Sequence, residues 1–429
     1  MKYALLTMII ALLSMFSLFF HKPLLRLACG VAEKGHAMLF GYMASQGMVL
    51  GANTGLTALI PSLYENLDII SRELAGAIPS VTLDPQVARA AVGQVVIAFK
   101  APAATATNIV PGVTPPNDGD QVMDNTQVVI TKARRVPFRW NGEEELGLNN
   151  NGSGSRAIRG SQMQQALRTL VNEMEVDVVN AARIAASRAF GTAGTTPFTD
   201  LTPTANLKKI LDDNGAPGER SLIIDTTAGV GIRTLTNLIK VNEAGTNMTL
   251  RDGELLNLHG FSIKESAGVV VNTKGTGTAY TTDSAGYGVG SNVINLITGA
   301  GTVLAGDVVT FAGDTNKYVV NTALAAGVIK IGLPGLRVAI AAAPTAMTIG
   351  NNYTGSIAFA KSSIILATRA PALPENGDLA VDRLTITDPR SGISFEVAMY
   401  AQYRQMQYEV CAVWGVNGIK ANHGSILLG

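Results

Sequence analysis

Residues 158–190 read IRGSQMQQALRTLVNEMEVDVVNAARIAASRAF. Met163, Leu167, Leu170, Met174, Val178, Ala181, Ala185 and Ala189 recur at intervals of three and four, which predicts one long helix over Ile158–Phe190. At about 1.5 Å per residue, roughly thirty residues would span on the order of 45 Å. The alanines of its second half put little bulk between the helix and a neighbour, so it suits a spine with a sheet packed closely on it. Gly191 is placed to end it, and a Gly/Asn/Ser linker, Asn149–Ser155, precedes it. Beside this helix the chain is rich in strand-like segments, which predicts an α+β protein.

Downstream, helix and strand patterns alternate from Thr204 to Val271. Leu207–Asp212 and Ala228–Val241 look helical, whereas Ser221–Asp225 and Phe261–Glu265 look like strands. Composition then shifts. Asn272–Thr354 is dominated by Gly, Thr, Ala and Val, with short strands at Val293–Ile297, Asp307–Phe311, Lys317–Val320, Val328–Ile331 and Ala346–Ile349. That spacing predicts a small antiparallel barrel or sandwich. Strand sequence resumes after it, so the segment reads as an inserted domain. Ser356–Thr368 reads as a buried strand. Leu384–Thr387 and Ser394–Met399 flank the hairpin turn DPRSG, residues 388–392. Gln407–Val416 reads as a last apolar strand, central in a sheet.

Upstream, Val92–Ala98 and Val128–Trp140 are strand candidates, and the second carries Lys132, Arg134 and Arg135. Between them Ala101–Asn125 is polar and proline-rich, with Asp118 and Asp120 in its acidic part. Two strands joined by roughly 25 irregular residues make an extended flap, and a loop of that length is functional or disordered. An acidic tip and a basic returning strand are complementary, so one subunit's flap is expected to reach the next subunit's body; a solvated loop is the plainer alternative. Earlier still, Leu56–Leu74 has an apolar helical stripe with Glu65 and Asp68 off it. It is a core-packing helix, an arm that docks on a neighbour, or both. Ala4–Phe20 is an apolar run between Lys2 and the cluster His21, Lys22 and Arg26, the pattern of a signal peptide or membrane anchor. Met38, Met43 and Met48 crowd its end. The expectation is translation from Met43 or Met48, with residues 1–47 absent from the mature protein.

The chain's 429 residues suffice for two or three domains. Only 15% are charged and 45 are glycine, which fits a loop-rich, β-containing subunit packed against copies of itself, although a large enzyme shares that composition. A net charge of +1 without an extended basic run argues against a sequence-specific nucleic-acid binder. Cys29 and Cys411 lie far apart and suggest no disulfide framework. Phosphate-loop, HExxH and GxSxG patterns are missing from the sequence. His21, His36, His259 and His423 are not spaced as metal ligands, and His259 reads as a turn residue. Glu143, Glu144 and Glu145 read as a solvated turn, because adjacent carboxylates point apart. Gly229-Val230-Gly231 lacks the third glycine of a dinucleotide fingerprint and reads as packing; Cys411 reads as core. Enzymatic activity, a metal and a cofactor are not expected.

Ten stretches carry a resemblance: ANTGLTALIPSLYENLDIISREL, GVTPPNDGD, ITKARRVPFRWNGEE, TLVNEMEVDV, ASRAFGTAGTTPF, LHGFSIKES, GTVLAGDVVTFAGDTNKYVV, RAPALPENGD, ITDPRSGISFEVAMYAQY and VCAVWGV. By their order, from about Asn53 to the C-terminus, the chain resembles the coat proteins of the Salmonella-podovirus type and their prophage relatives. The resemblance implies the Hong Kong-phage capsid fold: an N-terminal arm, an extended loop, a peripheral domain with a long spine helix, and an axial domain, here with an inserted small antiparallel β-barrel domain. Carried onto this chain, the arm is 48–80. The extended loop and the peripheral domain with its spine helix, 158–190, occupy 81–203. The axial domain is 204–271 and 355–376, the inserted domain 272–354, and the return strands of the peripheral domain 377–429.

The implied function is a major capsid protein that assembles in the host cytoplasm into the icosahedral shell of a virion. Its implied partners are itself, in hexamers and pentamers, a scaffolding protein, a portal protein, and packaged double-stranded DNA held without sequence specificity. Glu65, Asp68, Asp118, Asp120, Lys132, Arg134 and Arg135 are the candidate subunit contacts. The leader, 1–47, departs from that family. Two alternatives stay open: an encapsulin-like nanocompartment shell on the same fold, and an exported surface or S-layer-like protein that uses the leader as a signal.

Overall fold

A computed structural model of the chain describes residues 76–100, 106–109, 111–114, 124–150, 155–240, 255, 257–387 and 392–429. The leader, the helix expected at Leu56–Leu74 with Glu65 and Asp68, the acidic residues Asp118 and Asp120, and the hairpin tip 388–391 lie outside the described residues.

The chain is followed from β1 (Thr82–Ala90) through β2 (Val95–Lys100), β3 (Asp124–Val129) and β4 (Lys132–Asn141) to the helices α1 (Gly142–Asn150) and α2 (Ser155–Ile184). α2 is the long helix, 30 residues, and Met163, Leu167, Leu170, Met174, Val178 and Ala182 form its buried face. It stops six residues short of the expected Phe190. The next residues form β5 (Arg188–Gly191), whose backbone pairs in parallel with one strand and antiparallel with another, so the sheet satisfies it on both edges. The alanines do allow a close approach: a Cβ on Gly418 would stand 2.1 Å from the Ala185 side chain. The strand expected at Val128–Trp140 is two strands, broken where Ile130 N–H donates to Gln94 and Thr131 N–H to Trp414. Glu143–Glu145 are not a turn but the first turn of α1. Asn141 Oδ1 accepts from Glu144 N–H at 2.7 Å and Glu144 accepts from Asn141 N–H at 3.1 Å, a reciprocal cap, and acidic residues favour a helix N-terminus.

An α/β layer follows: α3 (Thr202–Asp213), β6 (Arg220–Ile224), α4 (Thr226–Thr234), α5 (Thr236–Ile239) and β7 (Phe261–Glu265). Asp225 caps α4, accepting from Thr227 N–H and Ala228 N–H. The single helix expected at Ala228–Val241 is interrupted because Leu235 is extended, at φ −64° and ψ 120°. Gly229 is a packing glycine. A Cβ there would lie 1.7 Å from the Glu265 carboxylate, which is locked to Arg233 by hydrogen bonds of 2.6 and 2.7 Å. Leu207, Leu211, Leu222, Ile224, Ile232 and Phe261 close the core of this layer.

The Gly/Thr-rich segment supplies β8 (Val271–Asn272), β9 (Thr281–Thr282), β10 (Val293–Ile297), β11 (Val308–Phe311), β12 (Lys317–Ala325), β13 (Val328–Ile331) and β14 (Met347–Ile349). Pairing runs β9-β10-β13-β12-β11-β14, antiparallel throughout. It returns on itself where Thr281 bridges Ala346 and Thr282 N–H donates to Thr345. Tyr280, Ile294, Phe311, Tyr318, Val320, Ile331 and Leu336 fill the interior. The ring is also joined to the rest of the chain, since β12 pairs with β5 through Lys317 and Tyr318.

The last strands are β15 (Tyr353–Ala360), β16 (Ile364–Pro371), β17 (Ala380–Thr387), β18 (Ser394–Gln402), β19 (Gln405–Gly418) and β20 (Gly424–Leu428). The one strand expected at Ser356–Thr368 is two, parted by a 3-10 turn at Lys361–Ser363 that moves the chain from one sheet to another. β15 joins the order β7-β6-β15-β20-β5 in a 12-stranded sheet, and β16 joins β1-β16-β19-β18-β17 in a six-stranded one. β17 and β18 pair as the expected hairpin. β19 is central, paired with β4 over Gln405–Trp414, with β18 over Gln405–Cys411 and with β16 over Val413–Gly418. The architecture is sheet-rich α+β with few helices among the described residues.

Candidate assembly surface

β4 carries the basic residues singled out in the sequence, and strand alternation divides them. Lys132 and Arg134 lie on the side that meets α2. Lys132 Nζ binds Glu173 at 2.9 Å and Asp177 at 2.8 Å, and Arg134 Nε binds Glu173 at 3.0 Å. Asp177 also accepts from the indole N–H of the fully buried Trp414, at 2.8 Å. On the same side Phe138 stacks on Tyr408 with ring centroids 5.4 Å apart, and Trp140 Nε1 donates to Gln162 at 2.7 Å. Burial alone would lower the Lys132 pKa, but its hydrogen bonds to Asp177 and Glu173 outweigh it and the pKa is raised. For Glu173, burial pushes up and the pairing with Lys132 and Arg134 pulls further down, so its pKa is lowered. Arg135 points to the other face and pairs with the buried Glu409. The structure therefore does not bring Arg134 and Arg135 together. Each has a partner in its own chain, and with side chains 55% and 63% exposed each also faces solvent.

β2 and β3 form a two-stranded ribbon of their own, in register from Val95–Val129 to Lys100–Asp124. Its root is tied down by Ile130 N–H donating to Gln94 O, Gly93 N–H donating to Ile130 O, and Asn417 Nδ2 donating to Gln127 O. One face turns inward: Val128 and Val96 pack with Ala90, Ile130, Ala367 and Val413. The opposite face is apolar too, yet open. Val95 is 45% exposed, Ile97 52%, Phe99 75% and Val129 42%. Beyond the ribbon, Ile109 and Val113 are fully exposed. These side chains form a contiguous exposed apolar row, a feature that ordinary protein exterior seldom carries. The sequence signal was the alternation Val95, Ile97, Phe99 beside an equally apolar Val96 and Val128. A strand over Val92–Ala98 is legible from it; that a two-stranded ribbon has only one side to bury is not.

No protein-family profile matches the chain, and no curated protein matches it. Among solved structures it is similar to a chain of Mycobacterium phage Che8, at 11% identity over 78% of this chain and 84% of that one, with a TM-score of 0.41. It is similar to the capsid of the cyanophage P-SCSP1u at 11% identity, over 81% and 86% of the two chains, with a TM-score of 0.45. A virus-like particle from Pyrococcus furiosus gives 10% identity, 86% and 98% coverage and a TM-score of 0.39.

His259 stands in a turn at φ 49°, with Nδ1 2.7 Å from Thr204 Oγ1. Cys411 is buried, and burial, reinforced by Glu409 and Glu396, pushes its thiol up to about 12. Among the described residues no group of His, Cys, Asp or Glu is arranged to hold a metal, and no helix is long and apolar enough to cross a membrane.

Proposed function

We propose that this chain is the major coat protein of a tailed double-stranded DNA phage, a structural subunit without catalytic activity that assembles into hexamers and pentamers of a closed shell. The observation that carries the proposal is the β2–β3 ribbon, with one face rooted on the body and Val95, Ile97, Phe99 and Val129 open on the other. A monomer has no use for a firmly rooted ribbon of apolar side chains in water. A subunit that lays it on a neighbour does. Ten ordered sequence stretches resembling one coat-protein family support the same reading, as do the long helix α2 fastened to the six-stranded sheet and the ring of strands between β8 and β15 as the inserted domain. A scaffolding protein, a portal protein and enclosed DNA follow as partners, and a virion capsid built in the host cytoplasm as its location.

The test is co-expression with a scaffolding protein and electron microscopy of the product. Closed particles are expected. A folded chain that stays monomeric at every concentration and salt would overturn the proposal.

A further inference from the structure

Where β5, α3 and the turn entering β12 meet, a cleft of about 410 Å³ opens. Its walls carry Arg188, Lys209 and Lys317 and no carboxylate, with the amides of Asn206 and Asn316 between them. The nearest acid, Asp213, is shared by three cations: Arg188 at 3.4 Å, Lys209 at 3.9 Å and, from outside the cleft, Arg337 at 3.7 Å. Asp314, beside the cleft, is already engaged by the Tyr318 hydroxyl and the Asn316 amide, at 2.6 and 2.7 Å. Positive charge is thus in clear excess.

Arg188 is the least compensated member. Its side chain is only 7% exposed. Nε has no hydrogen-bond partner, and Nη2 has two, Ile210 O and Asp213, both at 3.4 Å. A guanidinium offers five donors, and burying one with weak partners is costly unless something else accepts from it. Burial and then the charge of Arg337 pull its pKa down, as expected for a cation short of negative charge. Another buried arginine is better supplied with acceptors. Arg369, 4% exposed, binds Asp84 at 2.7 Å and donates to the Thr368 carbonyl at 2.8 Å.

We infer that this cleft binds a phosphate-bearing anion, with Arg188 and Lys209 as its principal ligands and Lys317 at its rim. Two carboxylates, Asp213 and Asp314, do not neutralise the four cations Arg188, Lys209, Lys317 and Arg337. A doubly charged phosphate, with several acceptor oxygens, matches both the charge and the donor geometry of arginine. The phosphate is that of a free nucleotide or polyphosphate, or that of a nucleic-acid backbone.

Titration calorimetry of the full chain with pyrophosphate tests this. Saturable binding is expected, weakened about tenfold or more by Lys209→Glu and unaffected by Lys208→Glu, whose lysine pairs with Asp212 instead. Arg188→Gln should abolish binding. Because Arg188 is buried and that variant can fail to fold, Lys209→Glu, at a side chain 73% exposed, decides the matter. A short DNA duplex that displaces pyrophosphate would assign the site to a nucleic-acid backbone, and one that does not would assign it to a free phosphate compound; either supports the cleft. Absence of saturable binding, or equal affinity in wild type and Lys209→Glu, overturns it.

Discussion

Glu175 lies inside α2, 3% exposed, and its carboxylate accepts from Ala77 N–H at 2.7 Å, Ile78 N–H at 2.9 Å and Ser266 Oγ at 2.6 Å. One carboxyl group thus gathers donors from two distant segments. Glu175→Ala would strand them in a buried place, and an expected loss of about 2–4 kcal/mol follows, read by urea unfolding. Glu175→Gln keeps an acceptor oxygen and should lose less. The Lys132–Glu173 contact sets a pH window. Glu173 is lowered in the folded chain, so its contribution is present above its ordinary pKa of 4.5 and is lost as pH falls through the depressed value. Lys132 is raised, so its contribution is present below 10.5 and is lost as pH climbs through the elevated value. Melting temperature against pH should therefore show a shallower acid limb in Glu173→Gln and a shallower alkaline limb in Lys132→Met; unchanged limbs would mean the pair does not stabilise the fold. At the proposed interface, reversing Asp118 and Asp120 should lower particle yield. Arg134 and Arg135 point to opposite faces of β4, so rescue is expected from reversing one of them and not the other. Normal yield from the aspartate reversal would refute the contact. Cys411 was legible as core because Val410, Ala412 and Val413 flank it in an apolar strand, and Gly229 as packing because the third glycine of a dinucleotide fingerprint is missing. Arg188 was not, because nothing local in ASRAF reveals that Asp213 and Arg337 will stand beside it.

At the scale of elements, the ribbon separates stability from assembly. Ile97→Asp and Phe99→Asp change only the open face, so unfolding free energy should move by no more than about 0.5 kcal/mol. Particle formation, followed by sedimentation, should fail. Intact assembly of the double variant would show that this face meets solvent in the shell. The long helix was readable because its period is sustained over many turns, yet its end was not. Ala185 and Ala189 continue the period equally well as helix or as strand, and the choice is made by edges that β12 and β20 offer from far along the chain. The same limit hid β1 and β20. TLDPQVARA contains a proline and little alternation, and it becomes a strand because β16 lies parallel to it. Leu235 broke a segment whose apolar pattern runs on uninterrupted, because the pattern records burial and not direction, whereas the polar Lys361–Ser363 already marks the break between β15 and β16.

For the whole molecule, the ring of strands is the part with the best claim to independence. Its entry and exit are adjacent, Asn272 pairing with Tyr353, and its interior is its own. A fragment spanning 272–354 is expected to give dispersed amide signals by NMR, with losses concentrated at Val308 and Lys317–Val319, which would no longer meet β5 and the core beside it; a collapsed spectrum would make the ring dependent on its host. The six-stranded sheet is built in the opposite manner. Its strand β1 is held by the Arg369–Asp84 ion pair, between residues 285 apart, and by Thr82 Oγ1 donating to the Lys361 carbonyl, 279 away. At synthesis rates of roughly 5–20 residues per second, the ribosome needs ~15–60 s to deliver the partner of a strand already made. Throughout that wait the inner side of β1 and the apolar ribbon next to it stand unpaired. Nascent chains crowded on one message would offer one another the very edges and faces that finished subunits bury. Yield in the cell should then depend on chaperone supply and growth temperature more steeply than on the stability of the folded subunit.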